Sequence, residues 1–308
     1  MADRVDDPPA SGGEAAAPDF VPELLAELRA AGYHPSAWGR FFARLWRRSH
    51  ETARAHPALV RSWATTAGAL AAAEGGALAL EAGAEGEWSA ALRAIPGAAL
   101  AFAFTHLDVY AHLEMNARRR GDGLYPDLGL PTRLTLARGA CAGLLWGHLL
   151  GGRPAGRPLL LAALAGATVT DIADGAVARR MDRVTRLGQY ADSQADFGFG
   201  VAYVLTLAAR RQLPRWLVML LLARWLAPFA FALASYFGWV RRVPIWSTNV
   251  GRMADVAQAA TLAAALLPDG AAGRVAPVRR ALHIAMAGLL VAAPLAQARG
   301  LARGNASK

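Results

Sequence analysis

From about residue 58 the chain is a succession of apolar blocks separated by short connectors rich in arginine, glycine and proline. The first two blocks, 58–83 and 90–116, are Ala-rich, and the first carries Glu74 and Glu81. A turn-rich stretch, GDGLYPDLGLP (121–131), precedes a helix opened by Pro131 and Thr132, LPTRLTLARGACAGLLWGHLL. GGRPAGRP (151–158) then forms a tight loop. Helices are predicted over Leu159–Ala178 and Gly188–Ala209, on either side of the polar connector RRMDRVTR (179–186). Arg215–Trp239 is the clearest apolar span, interrupted by Arg224 and Pro228, and RRVPIWSTNVGR (241–252) connects it to two short Ala-rich helices, Asp255–Leu267 and Ala281–Ala298. The pattern predicts an all-α integral membrane fold. Six transmembrane helices make the core, and the 58–83 and 90–116 blocks would add a membrane-embedded hairpin to an N-terminal helical extension.

Ahead of these blocks, Val21–His56 is amphipathic and helical, with a break around Gly32–Pro35. Leu24, Leu25 and Leu28, then Phe41, Phe42, Leu45 and Trp46, share apolar faces beside Arg40, Arg44, Arg47 and Arg48. Such a segment suits either a helix lying on an anionic leaflet or a small cytoplasmic hairpin packed on itself. Residues 1–20 are acidic and rich in Pro, Gly and Ala, with no apolar run, which predicts a disordered tail and not a signal peptide. The expected domain plan is a 1–20 tail, a 21–120 helical extension and a 121–308 transmembrane domain.

Composition narrows the class of partner. Of 308 residues, 55% are hydrophobic and 18% charged, with a formal net charge of +10. In a soluble protein that balance would suggest nucleic acid. Here the arginines gather at the ends of apolar blocks, where they set topology and meet anionic headgroups, and no nucleic-acid-binding motif is present. The basic RRMDRVTR connector places its end of the helices at the cytoplasmic face, although Arg210, Arg211, Arg215, Arg274, Arg279 and Arg280 fall on the other side. Cys141 is the sole cysteine, which excludes a disulfide framework and a thiolate zinc site.

Candidate chemistry concentrates in DIADGAVARRMDRVTRLGQYADSQAD (171–196). Asp171, Asp174, Gly175 and Ala178 share one helical face, and Gly188, Asp192 and Asp196 share another. Acids at membrane depth are costly and usually functional. Four of them on two facing helices suggest a cage for a hard divalent cation, Mg²⁺ or Mn²⁺. Asp182, in the connector, reads as a solvated surface acid. His106, Asp108, His112 and Glu114 read as ordinary interfacial polar residues, since no HExxH motif joins them.

Written as D-x2-D-G-x2-A-R-x8-G-x3-D-x3-D, the stretch resembles, at all eight fixed positions, the signature of the CDP-alcohol phosphotransferase family, membrane enzymes that make phospholipid headgroups. The resemblance covers about Leu130 to Ala298. It implies that Asp171, Asp174 and Asp192 ligate Mg²⁺ or Mn²⁺ with Asp196 near the cluster. Gly175, Ala178, Arg179 and Gly188 would shape the pocket for the CDP moiety, and Asp196 would act as general base on the acceptor hydroxyl. It also implies a CDP-linked lipid donor, an alcohol acceptor and membrane lipids as partners, with a second copy of the chain left open.

The acceptor is less legible. Arg138, Arg224 and Arg252 are candidates to bind a phosphate on it, with Arg133, Arg241 and Arg242 nearby in the topology; intrahelical arginines such as Arg138 and Arg224 have the alternative of pairing with the acids. NVGRMADVAQ resembles the G-K-x-x-T-x-x-Q stretch of bacterial phosphatidylglycerophosphate synthases, with Arg252 for Lys and Asp255 for Thr. Glycerol 3-phosphate is the leading expectation; inositol phosphate and phosphatidylglycerol stay open. The competing class is a transporter built around an intramembrane acid cluster, which predicts internal repeats, and none is visible.

Overall fold

Pro57 opens the longest helix among the described residues and Gly86, in the left-handed region at φ +68°, closes it. In the computed structural model, which describes residues 21–118, 123–234, 237, 249–267, 277–290 and 292, these signals recur along the sequence. The helices are α1 (Val21–Ala30), α2 (Pro35–Ala55), α3 (Pro57–Glu85), α4 (Trp88–Ala111), α5 (Gly129–Leu150), α6 (Arg157–Arg180), α7 (Arg186–Ala209), α8 (Arg215–Ala234) and α9 (Asn249–Ala265), followed by helix 277–290. The all-α expectation is met among the described residues. Helix α9 begins six residues before the expected Asp255 and the last helix begins at 277 instead of Ala281. The 1–20 tail, most of the 241–252 connector and the expected helix end at Ala298 lie outside the described residues.

The chain divides into two compact units, residues 1–48 and 49–308. In the first, the predicted break falls at Gly32 and Tyr33, both with positive φ, between α1 and α2. Glu27 of α1 forms an ion pair with Arg44 of α2. Trp38 lies 5.9 Å from both Phe41 and Phe42 by ring centroids. The ion pair joins the two helices, whereas the ring contacts lie within α2.

In the second unit α5 is the hub, packing against α3, α4, α6 and α7. Glycines recur at every fourth position, Gly139, Gly143, Gly147 and Gly151, and the close approach to α4 depends on the last two. A Cβ on Gly147 would stand 2.8 Å from both the Ala94 carbonyl oxygen and the Ala98 Cβ; one on Gly151 would stand 2.8 Å from the Arg93 carbonyl oxygen. From the other side, a Cβ on Gly97 would meet Leu150 Cβ at 2.8 Å. Small residues at such spacing let helix backbones touch, which is how helices associate where lipid supplies no hydrophobic driving force. Hydropathy hides this stripe; the spacing of the glycines reveals it. On the other side of α5, a core of Leu145, Leu160, Ala163, Tyr203, Leu207, Leu217, Leu221, Leu262 and Met286 joins α5–α9 to helix 277–290.

Two helices among the described residues, α4 and α6, are long and apolar enough to cross a bilayer. Only 33% of the α4 window and 22% of the α6 window is buried within the chain. Their outer faces expose Leu100, Phe104, Val169 and Ile172, each more than 60% accessible. The expectation of six spans reaches further than these two helices carry it.

The glycine contacts make a paired prediction for thermal unfolding of the full-length protein in detergent. Gly147→Val, which must displace backbone, should destabilise by about 1–3 kcal/mol. Gly83→Ala, in a helix with open space around the new methyl, should be neutral or raise Tm.

Candidate active site: four aspartates around a buried arginine

The α6–α7 hairpin is set by its caps. Helix α6 ends with Asp182 in the left-handed region (φ +47°) and an Arg183 N–H that donates to the Ala178 carbonyl at 2.9 Å, a Schellman arrangement with Asp where Gly is commoner. Three residues later Thr185 caps α7, its hydroxyl accepting the Gly188 N–H at 3.0 Å. Asp182 is exposed, as its reading as a surface acid requires. The tight reversal brings Asp171 and Asp174 of α6 opposite Asp192 and Asp196 of α7.

Between the four carboxylates lies Arg138 of α5, with 2% of its side chain accessible. One terminal nitrogen, Nη1, donates to Asp171 Oδ1 at 2.7 Å and to Asp196 Oδ1. The other, Nη2, donates to Asp174 Oδ2 and Asp192 Oδ1, both at 2.6 Å. The guanidinium fork thus bridges both helices of the hairpin. Four carboxylates and one guanidinium leave the cluster with three formal negative charges. Of the two fates open to Arg138, acceptor phosphate or the acids, the structure shows pairing with the acids.

The aspartates are not equivalent. Asp174 is buried and also accepts the Thr135 hydroxyl of α5 at 2.8 Å, so its Oδ2 is held from two sides. Asp171, Asp192 and Asp196 are 56%, 44% and 40% accessible, and one oxygen from each lies within 4.8 Å of the others. Among the described residues these three make the group able to hold a metal ion. Sequence reasoning named Asp171, Asp174 and Asp192 as ligands with Asp196 beside them; in the structure Asp174 stands apart as the anchored member.

A cleft of about 190 Å³ opens next to the cluster. Asp174, Gly175, Ala178 and Arg179 line it from α6, and Gly188, Gln189 and Asp192 from α7. Gly188 has little room for a side chain: a Cβ there would come 3.2 Å from Thr185 Oγ1 and 3.4 Å from Thr132 Oγ1. Arg183 and Thr185 form the connector side, and Pro131, Thr132 and Thr135 the α5 side. Arg183 is fixed by Asp127 at 2.8 Å and by the Tyr125 ring at 4.4 Å, so the linker before α5 grips the hairpin loop. Sequence reasoning missed Thr132, Thr135 and this grip, because nothing local in PTRLT or LYPDL marks a contact fifty residues away.

The remaining candidates lie elsewhere. Arg224 is half-buried in α8 and does not line this cleft, and Arg133 donates to Ser62 Oγ at 3.2 Å. The side chain of Arg252 and residues Arg241 and Arg242 are outside the described residues. His112 pairs with Asp108 at 3.5 Å, and Asp108 accepts the Tyr190 hydroxyl at 3.1 Å, tying the end of α4 to α7 two residues before Asp192.

Comparison with known proteins gives two matches. Residues 128–294, more than half of the chain, match the family model CDP-alcohol phosphatidyltransferase. A relative from Streptomyces coelicolor, described as cardiolipin synthase (CMP-forming), is 38% identical over 102 residues, which is 32% of this chain and 46% of that protein. The chain therefore spans about half the length of the curated relative it matches. No solved structure matches.

Because the Thr135 hydroxyl is buried and its acceptor is a carboxylate, Thr135→Val should lower stability by about 1–3 kcal/mol, read as a fall in Tm without a change in helix content by circular dichroism.

Proposed function

The chain belongs to the CDP-alcohol phosphatidyltransferase family, and from that premise we propose that it transfers a phosphatidyl or related phospho-alcohol group from a CDP-alcohol, such as CDP-diacylglycerol, to an acceptor hydroxyl with release of CMP. The observation that carries this reading is the junction of cleft and cluster. A glycine- and alanine-lined cleft with Arg179 at its side leads directly to Asp174 and Asp192.

The residues fit a divalent metal. Asp171, Asp192 and Asp196 offer hard oxygen donors that converge within 4.8 Å, and the cluster keeps net negative charge even with Arg138 among them. These three would hold Mg²⁺ or Mn²⁺, which when bound neutralises the pyrophosphate and makes the phosphorus more electrophilic. Gly175, Ala178 and Gly188 admit the CDP moiety against helix backbone, and Arg179 supplies a planar fork for a phosphate. Asp196 accepts the proton of the acceptor hydroxyl. The freed oxygen forms a bond to the phosphorus that carries the lipid alcohol, the bond from that phosphorus to the CMP oxygen breaks, and CMP leaves with the charge.

For the acceptor we favour a lipid alcohol, phosphatidylglycerol, over glycerol 3-phosphate. Similarity to a protein named cardiolipin synthase supports it. Asp255 stands where phosphatidylglycerophosphate synthases carry Thr, a departure from the pattern of enzymes that use glycerol 3-phosphate. The enzyme is a multi-pass membrane protein of six core helices, with the cleft at the cytoplasmic face. The exposed apolar faces of α4 and α6 and the basic 179–186 connector support that placement.

Purified protein with CDP-diacylglycerol and Mg²⁺ or Mn²⁺ should release CMP with phosphatidylglycerol and more slowly with glycerol 3-phosphate or inositol phosphate. Absence of release with every acceptor would overturn the assignment. Asp196→Asn should lower kcat by roughly 100- to 10,000-fold, the usual range for a general base, and should also weaken metal binding, since Asp196 is one of the three carboxylates that would hold the ion. Ala178→Leu, which narrows the cleft, should instead raise donor KM.

A further inference from the structure

Arg138 is an unusual occupant for the middle of a metal-binding cluster. Its charge does not titrate away at any physiological pH. It is 2% accessible, its two terminal nitrogens contact all four motif aspartates, and its buried Nε makes no hydrogen bond among the described residues. The guanidinium is therefore held by the acids alone. Three of those acids are the ones whose oxygens converge for a cation. The fourth, Asp174, has a second donor in Thr135 and so can keep Arg138 when the others are engaged.

We propose that Arg138 is a tethered counter-cation that competes with the divalent metal for Asp171, Asp192 and Asp196. It holds the four like charges together across the α6–α7 hairpin, and it sets metal affinity below what four bare carboxylates would give. A carboxylate cage without it would bind a divalent ion more tightly and would need that ion to stay folded. With it, the hairpin is stable whether or not metal is bound, and the ion can exchange. Asp174, fastened by Thr135, is the residue on which the guanidinium stays. The proposal rests on the reading of the cluster as a divalent-metal site, and Arg138 is a positioning residue here, since it acts through the aspartates.

The test uses full-length protein in detergent and no lipid substrate. Mn²⁺ affinity is read by electron paramagnetic resonance of the free ion, and Tm is measured in EDTA and in excess Mn²⁺. Arg138→Met keeps the bulk and removes the charge. It should tighten Mn²⁺ binding on the order of 10- to 100-fold, as loss of one unit charge a few ångströms from the ion implies. Its Tm in EDTA should fall, and the Mn²⁺-induced rise in Tm should exceed that of the wild type. Arg138→Lys retains charge but cannot bridge four oxygens, and should tighten Mn²⁺ binding to a smaller extent; it serves as the readout if the methionine variant folds in neither condition. Recovery of Arg138→Met by Mn²⁺ alone would support the proposal. Unchanged or weaker Mn²⁺ binding in the foldable variant would overturn it while leaving the assigned reaction untouched. A wild-type protein that binds no Mn²⁺ would overturn both this proposal and the metal assignment on which it rests.

Discussion

Four carboxylates within reach of one another in a largely apolar surrounding repel, and the structure answers that repulsion with a single guanidinium. Removing an ion from water costs about several kcal/mol even after relaxation, so a cluster of this kind persists only where charge is matched by charge and hydrogen bonds are made. Arg138 does both for α6 and α7 at once. It comes from α5, the hub of the larger unit, so the site is fixed to the part of the fold with the most neighbours. The hairpin caps, the glycine stripe and the Asp127–Arg183 pair can all be understood as fixing where that one side chain meets its four partners.

The division of labour inside the cluster follows from burial. Asp174, buried and doubly hydrogen-bonded, has little freedom left. Asp171, Asp192 and Asp196 keep a large part of their surface accessible, and their oxygens converge closely enough to share a cation. Gly175, Ala178 and Gly188 line the same cleft as Arg179, so the wall that carries the small residues also carries a cation beside Asp174 and Asp192.

Much of this was written in the sequence. Helix existence followed from apolar blocks, and the break at Gly32–Pro35 and the turn at 151–158 were signalled by Gly and Pro. The eight spaced positions of 171–196 pointed to the correct hairpin, and their small residues do line one cleft. Other features could not be read locally. Arg138 was visible as a costly intrahelical charge, but its partners lie 33 to 58 positions away, and no periodicity encodes which helix will face it. Helix α5 looked like an ordinary apolar segment because hydropathy scores glycine as nearly neutral, whereas its stripe of glycines determines what it can touch. The start of α9 was placed late because the polar residues of NVGRMAD read as a connector, although they form its first turns.

The glycine stripe also gives the segment ahead of the family domain a part in the site. A helix face of glycine has little side-chain surface of its own, so its position follows from the surfaces packed against it. Here those surfaces are α3 and α4, while α5 carries Arg138 to the aspartates of α6 and α7. A change in α3 or α4 that moved α5 would therefore shift the guanidinium relative to its four partners without touching a residue of the cluster.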